Sequence, residues 1–418
     1  MTTPNHNLRG VAWLASGRLF VQSQGQVSRE IESTFGRETL ERRQRSQQLH
    51  GWKNRSGVWG QMGMAPPAMS QWEDALPPPR PIRFCALARG QKADELLYAL
   101  DCGEVGGLFQ FDLASGYEMR LMHREGFITG DLSRHPTSGE VAVSLRRADR
   151  TMGLTIGENG GNFLQDVTFS DGIDEAPAWL LDGSRRIVFH SAAWMRDPHG
   201  RARAMTTFRI DLLDLDSKSI TTVLEDDAHD LLQPRLLADG TLLFVRRPYG
   251  KQYLRRSVWE DAKAVLLIPW HLLQAIFGFL NFFSMMFAGK PLTTAGGPPQ
   301  RDQDFNPVMT LWGHMIDTRK LMKANQDATG MPLVPKDWQL IRRTADGTET
   351  LLAENVLSYD VLPSGDIVYT DGGSVRHLAP SGTQTTLAKG CFIERVLAMT
   401  DCGSDAVEPE NATPMARP

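Results

Sequence analysis

Cysteine is scarce: Cys85, Cys102, Cys391 and Cys402 are the four in 418 residues. Their spacings match neither a zinc ligand set nor a Cys-x-x-Cys redox pair, so buried free thiols are expected, with a disulfide as the alternative. An export signal is missing as well. The start, Met1-Thr2-Thr3-Pro4-Asn5-His6-Asn7, has no basic stretch followed by an apolar one, which points to a cytoplasmic location. A net charge of -4 gives no positive field to draw the chain to nucleic acid, so none is expected as a partner. No glycine-rich phosphate loop opens a helix; Gly157-Glu158-Asn159-Gly160-Gly161 lies between strand-like runs, where a turn explains it. No Gly-x-Ser-x-Gly elbow is present to carry a nucleophilic serine. These absences imply no cofactor and favour a non-enzymatic role.

What is present is a repeat, in a chain whose 41% hydrophobic content suffices for a sizeable core. An apolar lead is followed by a Ser-Gly or Asp-Gly turn and then a β-rich run. The phrase occurs at Trp13-Leu14-Ala15-Ser16-Gly17, His135-Pro136-Thr137-Ser138-Gly139, Trp179-Leu180-Leu181-Asp182-Gly183, Leu236-Leu237-Ala238-Asp239-Gly240 and Val361-Leu362-Pro363-Ser364-Gly365. Glycine sits where a tight hairpin needs positive φ, so each copy reads as two antiparallel strands. A second hairpin follows in several copies, as in Phe208–Leu213 and Ile220–Leu224 about the Asp216-Ser217 turn. Four strands per unit is the composition of a propeller blade.

The copy Ala176-Pro177-Ala178-Trp179-Leu180-Leu181-Asp182-Gly183, with Phe208-Arg209-Ile210-Asp211-Leu212 after it, resembles the WD40-like PD40 repeat of the TolB-like six-bladed β-propellers. The proline that this family places before Asp-Gly is kept only at Pro363. The likeness covers most of 8–35 and 80–400 and implies an all-β propeller of six blades, with seven as the alternative. Propeller residues are read as 1–35 and 80–400, with blades near 80–122, 127–168, 174–224, 229–352 and 356–390. Residues 8–31 and the Phe392–Ala398 strand are expected to close the ring together, because an open first blade would expose an unpaired edge. Prolyl-oligopeptidase-like enzymes carry similar propellers, but the chain has no room for their hydrolase domain.

Two insertions interrupt this pattern. The stretch 251–306 contains Ala264–Gly289, which has no Asp, Glu, Lys or Arg and meets the length of about 20 residues needed to span a bilayer. Arg246, Arg247, Lys251, Arg255, Arg256 and Lys263 precede it and Lys290 follows, a basic setting that favours anionic headgroups. Leu242–Val245 and Met309–Trp312 read as neighbouring strands of one blade, so the segment must leave and return on the same side. A re-entrant hairpin, an interfacial helix, an arm gripping an integral membrane protein and a helix packed on the flank all satisfy that condition. After Pro269, the polar or small residues His271, Gln274, Gly278, Asn281 and Ser284 form a narrow stripe, and Trp270, Phe277, Phe279, Phe282 and Phe283 supply the apolar remainder of a helix. The second insertion, 36–79, opens with a basic helix over 37–50 and continues through Trp52, Trp59 and Trp72 to Pro77-Pro78-Pro79. The tail 401–418, rich in acid, proline and alanine, is read as disordered.

Candidate ligand residues are Asp131, Glu175, His229 and Asp230 at starts of innermost strands, with His190 at the end of a second strand. Acidic and histidine side chains in such places can bind a metal or sugar at a channel mouth; solvation or loop capping is the plainer role. The resulting expectation is a docking platform on the cytoplasmic side of the membrane, serving an integral membrane protein. Its rival is an enzyme or binding protein acting on a saccharide or small ligand at the channel mouth. Convergence of the five candidates would favour the rival, and scatter the platform.

Overall fold

The computed structural model describes residues 8–55, 81–103, 105–149, 151–158, 164–199, 202–249, 308–311, 314–317, 330 and 332–400. The chain opens with β1 (Leu8–Ala15), β2 (Arg18–Ser23), β3 (Arg29–Ile31) and helix α1 (Thr34–Arg55). A four-stranded antiparallel sheet follows, β4 (Arg83–Arg89), β5 (Glu95–Asp101), β6 (Val105–Asp112) and β7 (Glu118–Glu125), in spatial order β4-β5-β6-β7. Next come β8 (Thr129–Arg134), β9 (Val141–Arg146), β10 (Met152–Gly157) and β11 (Leu164–Asp166). After them stand β12 (Gly172–Trp179), β13 (Arg186–Arg196), β14 (Ala202–Met205), β15 (Arg209–Asp214) and β16 (Ser219–Leu224). One parallel pair, Met152 with Ile173, joins these last two groups into a single nine-stranded sheet.

The chain continues through β17 (His229–Leu236), β18 (Leu242–Pro248), the separate hairpin β19 (Val308–Leu311) with β20 (His314–Asp317), then β21 (Gln339–Arg343) and β22 (Glu349–Ala353). Strands β17-β18-β21-β22 form one sheet. The last elements are β23 (Ser358–Val361), β24 (Ile367–Thr370), β25 (Ser374–Leu378), β26 (Gln384–Lys389) and β27 (Ile393–Thr400). The first four make a sheet, while β27 returns to the amino terminus in the order β27-β1-β2-β3.

The first strand of each unit lies against the first strand of the next: β4 on β8, β8 on β12, β12 on β17, β17 on β23, β23 on β27, and β27 on β4. That closed circuit makes the fold a β-propeller. The expected fastening by both ends is observed, with Val11 opposite Ala398 and Trp13 opposite Val396. At the ring's far end Arg89 adds a polar clasp, donating to Ala398 O and Val361 O and pairing with the Asp360 carboxylate. Three innermost strands, β4, β27 and β23, are thereby tied by one side chain.

Burial follows position across each sheet. Second strands are enclosed by neighbouring sheets on both faces, so β5 (ELLYALD) and β9 (VAVSLR) read as continuous apolar runs rather than alternating ones. Fourth strands face water, as β16 and β26 do. Four of these outer strands carry a bulge against their neighbour, where pairing skips Leu121, Val223, Leu352 and Leu387. Such a bulge blunts an exposed edge against pairing with other chains.

All five repeated turn glycines have positive φ, 75° at Gly17 and Gly139, 78° at Gly183, 81° at Gly240 and 86° at Gly365. One of them occupies a different place in its sheet. Gly139, Gly183, Gly240 and Gly365 join first to second strands, whereas Gly17 joins β1 to β2, the second and third strands of the closing sheet. The carboxy-terminal strand takes the first position there, displacing the amino-terminal hairpin outward by one. Sequence pattern could not register that displacement, because the hairpin itself is unchanged.

Two further expectations are corrected. The strand beside β18 is β21, with Phe244 opposite Ile341, and Met309–Leu311 belongs to the separate β19-β20 hairpin. The buried thiols are Cys102 and, in part, Cys85, but Cys391 is exposed; Cys402 lies outside the described residues.

Candidate functional site

The connections between second and third strands share one end of the ring with the starts of the innermost strands. Backbone bonds from Phe84 N to Gly17 O and from Leu231 N to Phe208 O tie neighbouring sheets together at that end. The chain between β18 and β21 leaves and re-enters there, since Arg246 opposes Gln339 across adjacent antiparallel strands. The β13 to β15 connection is its neighbour: the Tyr249 hydroxyl donates to Met205 O.

The root of that large insertion is a buried charge cluster. Arg247 is 2% exposed, and its Nε donates to Asp230 Oδ2 at 2.9 Å. Its guanidinium carbon stands 4.8 Å from the centroid of the Trp338 ring. Asp230 also accepts from Phe208 N at 3.1 Å. Departing and returning chain are thus fastened to each other and to the start of β17. Arg246 is held too, at 3.0 Å from Glu349. Of the basic residues that precede the apolar segment, Arg246 and Arg247 are thus engaged within the propeller. Arg255, Arg256, Lys263, Trp270, His271, Phe277, Phe279, Phe282 and Phe283 lie outside the described residues.

Along the same mouth runs a belt of polar groups. Arg395 on β27 donates to Gly130 O at 3.0 Å and stands 3.9 Å from Asp131. Glu175 lies over that same backbone, where a β-carbon at Gly130 would meet its Oε1 at 2.9 Å. Glu175 and His190 are cross-strand partners, 3.8 Å apart between Oε2 and Nε2. His190 is fully buried, stacks edge-on against Phe208, and accepts the Gln233 amide proton on Nδ1 at 3.1 Å. Gln233 in turn reaches the next sheet, giving its side-chain amide to Leu357 O and accepting the Tyr359 hydroxyl on its carbonyl. A bulge makes these links possible: Gln233 and Ala176 both have positive φ at breaks in the registers of β17 and β12.

The five candidates share a mouth but not a single centre. Glu175 and His190 are brought together; Asp131 sits beside Arg395, and Asp230 is committed to Arg247. His229 pairs with Asp226 at 2.9 Å. Among the described residues, no group of three His, Cys, Asp or Glu side chains is placed to hold a metal. Residues that sequence reading left out, Arg395, Gln233 and Trp338, do much of the holding. A charged Glu394-Arg395 pair inside an otherwise apolar strand was the available signal for the first.

Helix α1 begins earlier than expected and is anchored by its first turn. Ser33 Oγ accepts from Gly36 N at 3.0 Å and donates to Glu118, whose other oxygen takes the Phe35 amide at 2.9 Å. The Tyr98 hydroxyl shares that carboxylate. Phe35 packs on Phe109 and His123, inserting between the closing sheet and the β4 sheet. Among the described residues no helix is long and apolar enough to cross a membrane, and Ala264–Gly289 lies outside them.

No protein-family model matches the chain, and no curated protein does either. It is similar to solved propeller structures at low identity. A TolB structure from Acinetobacter baumannii aligns at 11% identity and TM-score 0.49, covering 93% of this chain and 66% of that one. A structure assigned as TolB from Agrobacterium tumefaciens aligns at 13% identity and TM-score 0.41, covering 77% and 91%. A chain of the nidogen/laminin complex gives 7% and 0.48, covering 94% and 99%. The propeller assignment stands on the closed circuit of innermost strands, independently of these scores.

Proposed function

We propose that this chain is a six-bladed propeller acting as a docking platform at the cytoplasmic membrane surface, an accessory or scaffold subunit for an integral membrane protein. The nine-stranded sheet counts as two blades, and residues 251–306 are the membrane-associating insertion, helical over its apolar part. The buried Arg247 cluster carries the reading. A charged side chain sequestered at the root of an insertion fixes where that insertion starts and ends, and the stretch so rooted includes Ala264–Gly289 without one Asp, Glu, Lys or Arg. Membrane partners are engaged by that segment and its basic approaches, Arg255, Arg256 and Lys263. The mouth belt then serves to brace adjacent blades.

Purification of the full chain from detergent-solubilised membranes is the test. An integral membrane protein should accompany it, and the charge reversals Arg255→Glu, Arg256→Glu and Lys263→Glu should weaken that association. Alanine at Asp131, Glu175 and His229 should leave it intact. A soluble monomer without such a partner that binds a metal or sugar through those three residues would replace the platform with the channel-mouth enzyme or binding protein.

A further inference from the structure

Helix α1 (Thr34–Arg55) leaves an anchor on the β4 sheet. Its first turn is fixed to Glu118 and Phe35 packs on Phe109, at and near the turn joining β6 to β7. Eight residues beyond Phe35, Arg43 is half-buried near the opposite turn, joining β5 to β6, where its charge draws the Cys102 thiol down against the upward push of burial. That turn connects second to third strands, as the β18 to β21 connection does. The helix therefore points to the shared face, and its residues 44–55 extend it by about 18 Å at roughly 1.5 Å per residue.

From Arg42 to its end the helix sequence carries charge of one sign. From residue 42 to 55 the sequence has Arg42, Arg43, Arg45, Lys53 and Arg55 and no Asp or Glu, in a chain whose net charge is -4. The acidic neighbours, Glu38 and Glu41, lie a turn earlier and pair with Arg42 at 3.3 Å and Arg45 at 3.6 Å across exposed surface. Exposed pairs of this kind bind weakly and yield to a stronger counter-charge. A concentration of positive charge beside the departure point of an uncharged segment matches the surface of an anionic bilayer.

We infer that α1 is a basic arm that contacts anionic lipid headgroups and orients the propeller with its insertion face toward the bilayer. The inference rests on the membrane-surface reading above. The full chain is to be tested by flotation with phosphatidylcholine vesicles, with and without about 30% phosphatidylserine. Wild type should bind the anionic vesicles more tightly, and Arg42→Gln, Arg43→Gln and Arg45→Gln together should reduce that binding at least tenfold while leaving neutral-vesicle binding unchanged. Raising the salt should erase the difference between wild type and variant. Equal binding of wild type to both vesicles, an unaffected triple variant with native circular dichroism, or retention of duplex DNA in place of vesicles would each overturn the role of α1. The first two leave the insertion's membrane role standing. Binding to neither vesicle would contradict direct lipid contact by both elements, while copurification of a membrane protein separately tests the platform.

Discussion

Arg247 lies between the Asp230 carboxylate, 2.9 Å from its Nε, and the face of Trp338, 4.8 Å from its guanidinium carbon. Arg247 is on the strand that precedes the large insertion, Trp338 on the approach to the strand that follows it, and Asp230 at the start of β17. A cation held by a buried anion and an aromatic face is costly to leave half-matched. Asp230→Ala should lower the free energy of unfolding by about 3 kcal/mol, whereas Arg246→Ala, at a partly exposed pair, should cost under about 1 kcal/mol. Urea titration of both variants checks the contrast, and equal losses would mean that Arg247 is no more critical than a surface arginine.

Closure of the ring gives a second expectation. Because β27 supplies the innermost strand of the closing sheet, deleting 391–418 should abolish cooperative unfolding of the whole domain, while deleting 403–418 should leave the transition in place. Matching transitions for the two truncations would contradict the strand order.

Much of this architecture was legible beforehand. The Gly turns marked hairpins, and the run Phe392–Ala398 marked a strand that closes the ring with residues 8–31. What escaped was set by tertiary contact. Nothing local says that Gly17 joins a second strand to a third, because that rank is assigned by a strand from the other end of the chain. Likewise Arg247 and Arg255 look alike in sequence; the difference for Arg247 is Asp230 and Trp338, brought from elsewhere. Glu175 and His190 were legible as candidates, while their link to Gln233 depends on a bulge with a left-handed non-glycine residue.

The helix anchor is testable alone. Glu118→Ala removes the acceptor shared by Ser33, Phe35 and Tyr98, and loss of such a cap costs about 1 to 2 kcal/mol. Hydrogen exchange should accelerate over residues 34–46 and remain slow in β9 and β24. Unchanged exchange in α1 would show that the Phe35 contacts suffice.

Thiol chemistry should separate the cysteines by environment. Burial and the nearby Asp101 charge push Cys85 up to about 12, and burial raises Cys102, whereas Cys391 is exposed. Thiolate is the reactive form. With iodoacetamide at neutral pH, peptide mapping should find Cys391 modified well before Cys85 or Cys102; early modification of Cys85 would contradict its packing.

Glu394 yields a dependence on pH. Burial raises its pKa above the ordinary carboxylate value, against the pull of Arg83 and Arg395. The folded state then disfavours the charged form, so this group's contribution to stability is best at low pH and is lost as pH rises through the folded pKa. Glu394→Gln should stabilise the protein at neutral pH, and the gain should vanish below the usual carboxylate range. A variant that is less stable at neutral pH would reverse the assignment.

The platform account is tested most directly by fractionating cells that express the full chain with Phe277, Phe279, Phe282 and Phe283 all replaced by serine. Wild type should sediment with membranes, and the variant should move to the soluble fraction with the β-rich circular dichroism of a folded propeller. A variant that stays with the membranes, or that loses its fold because the segment is core, would contradict the account.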